Sequence, residues 1–366
     1  MIESPIERLL KTNPDMEIWW DSSPLVFEAW VQKMLNEAAS DQRSAFSLQA
    51  VESDPEFWNG WIDDLIRSHP DASRKELFWM TYKEVVKRGA EMYMPIFEAS
   101  QGRFGWISGQ LDPRLFTETE QMITDAEELS ALSPNVMIKV PASMEGIEVV
   151  KVLTSKAIAT NTTVCFTLPQ IMASANAAME GVKIAQENGV DLSRWRAVIT
   201  HMIGRLTERP VLDVQAERRG LKISRREKHW LGMAVFRRAY RLLNEGGYVS
   251  KMLACSMRNG PLVAGKMRFW DVQKLAGGDI IYTMPPYVLE PLFEFGNDMI
   301  FQSEIDNDDV PQEVMDKLLK IPYCVQAYDP NGLALEQFND HPATLYTVKG
   351  FSEAAAGLEE YVGQRM

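Results

Sequence analysis

Eight short, apolar, β-prone runs, separated by longer helical stretches, constrain this chain more than any other feature. They are Met16–Asp21, Ala45–Val51, Gly105–Leu111, Val136–Val140, Asn161–Thr167, Ala197–Ile203, Lys251–Met257 and Asp279–Met284. Helices are predicted over Pro24–Ala38, Glu56–Arg67, Lys75–Arg88, Thr117–Leu132, Gly146–Ser155, Gln170–Asn188 and Arg225–Asn244. In Thr117–Leu132, for example, Ile123, Ala126, Leu129 and Leu132 recur at helical spacing. Gly89 and Pro95 leave the stretch after Arg88 open. Alternating β and α units imply a parallel sheet. Eight of them imply a (β/α)8 TIM barrel, and 366 residues suit one with extra terminal helices. No linker-like composition divides residues 1–366, so a single domain is expected, with 1–15 as a leading extension. Residues from about 300 onward supply late helices, ending in Phe351–Val362.

A net charge of −13 without a basic stripe argues against nucleic acid as a partner. The short basic stretch from Arg218 to Lys228 reads as a solvated helix face. Neither a signal peptide nor an apolar stretch near 18 residues is present, so no membrane association and a cytoplasmic location are expected. Cys165, Cys255 and Cys324 are widely spaced and odd in number, as reduced thiols would be. His69, His201, His229 and His341 are scattered, with no metal-binding spacing, and no GxGxxG or P-loop occurs. No metal or cofactor is expected. Oligomeric state is unreadable, and a homodimer stays open.

The candidate chemistry centres on Lys139. In a strand, Val136, Ile138 and Val140 share one face and Lys139 points the other way with Met137. A buried ammonium is costly and loses its proton more readily, and a lysine amine attacks carbonyls. Lys139 is thus a Schiff-base candidate; the alternative is a strand-end lysine reaching water. Barrel catalytic residues sit at the C-terminal strand ends. Asn161 and Thr163 share a parity on the fifth run, and could bond a substrate or merely nearby backbone. Asp21 ends the first run as an acid or base, or as a helix N-cap. Ser108 and Gln110 share a parity on the third run. Arg205 and Arg258, after the sixth and seventh runs, form an oxyanion fork or ordinary surface ion pairs. His201 has the opposite parity to Thr200 and Met202 and should face the helices.

The motifs together resemble the transaldolase family, particularly its longer bacterial type. Residues 107–115 (ISGQLDPRL) and 117–120 (TETE) look like that family's third strand, and 136–143 (VMIKVPAS) with Glu145-Gly146 like its Schiff-base strand. Residues 161–167 (NTTVCFT), 189–194 (GVDLSR), 203–205 (IGR), 256–259 (SMRN) and 283–286 (TMPP) follow in matching order. The resemblance implies that Lys139 forms a Schiff base with a ketose carbonyl and that Asp21 moves the C4 hydroxyl proton. It implies that Thr163 and the residue at 110 hold a water. Asn161, with Thr200 where the family has serine, would bind the three-carbon unit, and Arg205, Ser256 and Arg258 the phosphate of small-molecule sugar phosphates. Three departures stand out. Gln110 replaces a glutamate and cannot exchange a proton as a carboxyl does, though it can hold a water; an aldolase branch of the family also carries Gln. Asp54, in Glu52-Ser53-Asp54-Pro55, replaces an asparagine that contacts substrate hydroxyls, and would place a negative charge near Lys139. Met202 replaces an aromatic pocket wall.

Overall fold

The structure, a computed structural model, describes residues 3–22, 25, 46–307 and 310–366. Among these, a parallel sheet comprises β1 (Glu17–Trp20), β2 (Ile107–Gln110), β3 (Val136–Pro141), β4 (Thr160–Cys165), β5 (Ala197–Met202), β6 (Ser250–Cys255) and β9 (Ile281–Met284). A small antiparallel hairpin, β7 (Leu262–Val263) and β8 (Lys266–Met267), intervenes before β9. The strand order is β1-β9-β6-β5-β4-β3-β2. From β2 to β6 each strand pairs with its chain neighbour, and β9 joins β6 to β1, which is the curled, helix-wrapped sheet of a (β/α)8 barrel.

The second predicted run is not a strand. Ala45 lies outside the described residues, and Phe46–Ser53 is a helix. A strand would send Ala50 and Val51 to opposite faces. Both are instead fully buried in one cluster with Trp58, Ile62, Leu77, Phe78 and Leu358. Packing of that helix decides over the local β-preference of the run. The predicted helix Pro24–Ala38 lies outside the described residues apart from Leu25.

Other boundaries move for identifiable reasons. The helix begun at Lys75 spans Arg74–Ala99, opened by a capping box between Ser73 and Glu76, and it carries Gly89 and Pro95 inside. Its buried face continues past both, through Ala90 to Phe97, so tertiary burial offsets the weak local propensity. The leading segment contains a helix, Pro5–Leu10, with its own Ser4–Glu7 capping box. Late helices occupy Gln312–Leu318, Pro322–Tyr328 and Pro342–Gly363. The last begins at Pro342, not Phe351, because proline suits the first helical turn.

Two local devices hold the strand of Lys139. At its start, the buried Asn135 amide donates to Ala90 O and Gly105 O, both at 2.9 Å, tying β3 to the helix Arg74–Ala99 and to the loop before β2. At its end, Ser143 caps the helix Met144–Ser155 by accepting from Gly146 N–H at 2.9 Å. A Cβ at Gly146 would stand 1.8 Å from Pro141 O, so only glycine lets the helix start against the strand end. Gly146→Ala is expected to cost about 1–3 kcal/mol of stability, the range for overpacking. Urea denaturation measures it, and an unchanged midpoint would show that the approach imposes no constraint.

Candidate active site

Strand register sets which side chains converge. Gln110 pairs with Lys139, Lys139 with Asn161, Thr200 with Leu253 and Trp19 with Thr283. In parallel strands such partners share a face. Two cavities meet at this face. The inner one, about 340 Å³, is lined by Asp21, Ser108, Lys139, Asn161, Thr200, Cys255 and Thr283, with Trp19, Trp20, Tyr93 and Trp106 as aromatic walls. The outer one, about 1110 Å³, opens at the mouth between Gln110, Lys139, Arg205 and Arg258 and the final helix, which contributes Tyr346, Lys349 and Phe351. Lys139 lines both, and it is the one half-buried residue of an otherwise buried strand.

Around it the polar side chains are fixed by one another. Asn161 accepts from Thr200 Oγ1 at 2.6 Å and donates to Ser108 Oγ at 3.3 Å, crossing the barrel interior from β5 to β2. Thr163 shares the strand face of Asn161, is 2% exposed and has an unpartnered hydroxyl, but it lines neither cavity. The following Val164 has φ +54°, which a β-branched residue adopts only under constraint, at a shift in the β4–β5 register. Gln110 donates its backbone N–H to the Tyr82 hydroxyl at 2.6 Å.

Asp21 follows β1, its N–H bonded to Met284 O at 3.2 Å. Burial raises its pKa above the ordinary carboxylate range; Lys139, Arg205 and a hydrogen bond with Thr283 act in the opposite direction. The neutral form is therefore present at higher pH than for a solvated aspartate. If ionised Asp21 is required, activity falls as pH drops through this raised value. Thr283→Val removes a bond that favours the charged form, so the acid limb of a kcat/KM profile should shift to higher pH. A shift to lower pH, or none, would contradict this role for Thr283.

The mouth is cationic. Arg205 belongs to the short helix Ile203–Thr207, and its guanidinium lies 4.9 Å from the Phe351 ring centroid. Burial, with Arg258 and Arg209 nearby, pushes its pKa down. Arg258 is held in a bidentate pair with Glu208 at 2.9 and 2.8 Å. Its Nη1 donates to Ser256 O at 2.8 Å and to Ser256 Oγ at 3.2 Å. Its backbone N–H donates to Asp271 at 2.7 Å, and Asp271 Oδ1 lies 2.9 Å from His229 Nε2. Ser256 is buried, with φ +59°. A Cβ at Gly204 would meet Ser256 O at 2.3 Å, so this close approach requires glycine.

The structure thus brings together Lys139, Asp21, Asn161 and Thr200 in the inner cavity, and Gln110, Arg205 and Arg258 in the outer one. It removes two predicted features. Asp54 is exposed, lines neither cavity and caps the helix Pro55–Ser68 by accepting from Phe57 N–H at 3.1 Å. Asp followed by Pro at the first helical position is a favoured helix start, and it satisfies the carboxylate locally. Met202 is buried in the core and lines neither cavity, so it is no pocket wall. His201 faces the helices, its ring centroid 6.1 Å from that of Phe236. Lining residues that were not anticipated include Tyr82, Thr283 and Arg209. Thr283 was visible in the motif 283–286, whereas Arg209 lies between the helices Ile203–Thr207 and Pro210–Glu217 and carries no local signal. Among the described residues, no cluster of His, Cys, Asp or Glu is placed to hold a metal ion, and no helix is long and apolar enough to cross a membrane.

The model of the family described as Transaldolase/Fructose-6-phosphate aldolase matches residues 60–326. A protein named Transaldolase from Acidothermus cellulolyticus is 32% identical over 227 residues, covering 58% of this chain and 59% of the relative. Transaldolase from Arthrobacter sp. (strain FB24) is 30% identical over 224 residues, covering 58% and 60%. Transaldolase from Thermobifida fusca is 32% identical over 144 residues, covering 39% and 38%. The chain therefore matches less than two thirds of the length of these curated relatives.

Proposed function

Because this chain belongs to the Transaldolase/Fructose-6-phosphate aldolase family, we propose that it transfers a three-carbon dihydroxyacetone unit between a ketose phosphate and an aldose phosphate through a Schiff base on Lys139. The observation that carries this reading is Lys139 itself, which reaches both cavities from a buried strand and whose charge lowers the pKa of Asp21 in the inner cavity.

The proposed steps are as follows. The Lys139 amine adds to the ketose C2 carbonyl, and loss of water leaves an iminium. Gln110, beside Lys139 in the outer cavity, is the group proposed to hold that water; Thr163, which lines neither cavity, could share it only from behind the strand face. Asp21 takes the C4 hydroxyl proton, the C3–C4 bond breaks, and C4 departs as an aldehyde. The bonding electrons pass into the iminium and give an enamine. Asn161, oriented by Thr200, holds this three-carbon unit. The enamine attacks an acceptor aldehyde, Asp21 returns the proton, and hydrolysis frees the new ketose. Splitting a carbanion step into easier covalent ones is what the lysine contributes. Arg205 and Arg258 line the mouth and suit a phosphate, and buried Ser256 accepts from Arg258 behind it. Asp54, on the exposed helix start, has no part.

A second reading is an aldolase that releases dihydroxyacetone. The carboxamide of Gln110 at the mouth favours it, because an amide cannot serve the proton transfers that a carboxyl would. Acceptor dependence separates the two, since an aldolase cleaves ketose with no aldehyde added.

The test is borohydride trapping. The protein is incubated with fructose 6-phosphate or sedoheptulose 7-phosphate, reduced, and read by intact mass and peptide mapping. A three-carbon adduct on Lys139 is expected. No adduct from a wider panel of ketoses would leave a barrel that binds sugar phosphates without this chemistry.

A further inference from the structure

We infer that the inner cavity is also an apolar substrate subsite, entered sideways through an open seam of the barrel. It takes an aryl or branched alkyl group carried on the carbonyl carbon that reacts with Lys139. This rests on the Schiff-base reading above and extends it to a class of carbonyl compound other than sugar phosphates.

The seam follows from the sheet. Its order begins at β1 and ends at β2, and these two edges are not paired with each other among the described residues. Successive side chains of a strand point to opposite faces. Trp19 faces the barrel interior with Asp21, so Ile18 and Trp20 face outward. Ser108 bonds Asn161 across the interior, so Ile107 faces outward. All of these line the one cavity. A cavity that touches both faces of both edge strands passes between them. The helix Arg74–Ala99 covers the gap with Val85, Tyr93 and Ile96. At the outer end Ile96 is 48% and Phe104 41% exposed, and neither lines the cationic mouth.

The chemistry changes along this passage. Beside Lys139 the walls are polar, with Asp21, Asn161 and Thr200; in the seam they are carbon. Trp106 spends its Nε1–H on Gly102 O at 2.8 Å, and Trp19 spends its own on Glu17 at 2.9 Å. Both therefore offer ring carbon to the cavity. Space lined in this way holds water poorly and favours an apolar group. Its volume, about 340 Å³, reaches the range of small-molecule sites and exceeds what one hydroxymethyl group of a ketose fills. Lys139 lines both cavities. The two substituents of a carbonyl carbon bound there thus meet different surroundings, arginines on the mouth side and aromatic rings on the seam side.

The experiment has two readouts on the whole protein. Ligand-observed NMR titration follows benzyl alcohol, which carries the ring but no carbonyl. Borohydride trapping compares benzylacetone with acetone: the Lys139 amine adds to the ketone carbon, a proton is taken up, water leaves, and hydride reduces the iminium to a secondary amine. Benzylacetone is expected to label Lys139 at a concentration about 10- to 100-fold lower than acetone, the scale of burying one ring. Ile96→Asp, at an exposed position, should weaken benzyl alcohol binding and cut the preference for benzylacetone, each by about tenfold, because it sets a carboxylate at the outer end. Trp106→Leu removes a ring wall and should act in the same direction; should it fail to fold, Ile96→Asp decides. The inference is overturned if benzyl alcohol binding does not saturate, if the folded variants bind it like wild type, or if ketose phosphates label Lys139 while benzylacetone labels it no better than acetone. Benzyl alcohol binding that Ile96→Asp weakens, in a protein that traps no carbonyl compound, would refute the Schiff-base reading and leave the apolar subsite standing. A ketose adduct without benzyl alcohol binding would refute the subsite alone.

Discussion

Lys139→Ala should lower ketose cleavage by about 10⁴-fold or more, the scale of loss when the nucleophile of a covalent enzyme is removed. The borohydride adduct should vanish with it. Lys139→Arg keeps a cation in the strand but no nucleophilic amine, so it should be as inactive as the alanine variant. That comparison separates covalent chemistry from simple charge. The alanine variant has a further signature. Lys139 is one of the charges holding down the pKa of Asp21, which burial raises. Removing it should make Asp21 harder still to ionise. Its protonated form then persists to higher pH, and folding should be coupled to proton uptake across a wider pH range. The sign is fixed: a carboxyl whose folded pKa is raised contributes stability at low pH and loses it as pH rises through that value. Lys139→Ala should therefore shift its stability optimum toward acid relative to wild type. Residual cleavage within about tenfold of wild type would remove Lys139 from the chemistry.

Lys139 and its strand were legible because the information is local. One short apolar run with a single charge at a fixed parity states both the strand and the direction of the lysine. Asp21, Asn161 and Thr200 were legible for the same reason, each lying on or directly after a strand whose register follows from alternation. The second run failed on the same criterion. Its short apolar stretch does not distinguish a strand from a buried helix face, and the deciding partners, Trp58, Leu77 and Leu358, are distant in the chain. Asp54 was lost with it, because its expected role depended on a strand that is a helix start instead. Arg209 was missed for a different reason. Nothing near it distinguishes it from a surface arginine. Its meaning arises when Tyr346, on the last helix, lies over its guanidinium and encloses it. The mouth of this barrel is made by a C-terminal helix anchored at a distance, by an ion pair between Arg114 and Glu359 and by Arg365 on Asp63. Pairings of this kind are not encoded in any window of the sequence.

Asp21→Asn should slow carbon–carbon cleavage by about 10²- to 10⁴-fold, the usual contribution of a positioned acid or base. It should leave Schiff-base formation largely intact. Asparagine nearly preserves the shape of aspartate and can still accept from Thr283, but it cannot take the C4 hydroxyl proton. The two residues act at successive steps, so the variants should stall at different species. With Lys139 intact and Asp21 replaced, the ketose condenses with the amine and waits. Borohydride then captures the whole ketose, with its phosphate, on the Lys139 peptide. Wild type, which proceeds to cleavage, should give a three-carbon adduct instead. The mass difference between these adducts reads directly which bond has broken, independently of any coupled assay. It also separates cleavage from binding, because a variant that merely bound ketose poorly would give little adduct of either kind. Arg205 sharpens the point, since it also acts on Asp21 and lines the mouth beside it. Its loss should raise KM and the Asp21 pKa together, whereas Asp21→Asn should change kcat with KM little altered. A three-carbon adduct forming at the wild-type rate in Asp21→Asn would mean that another group takes the proton.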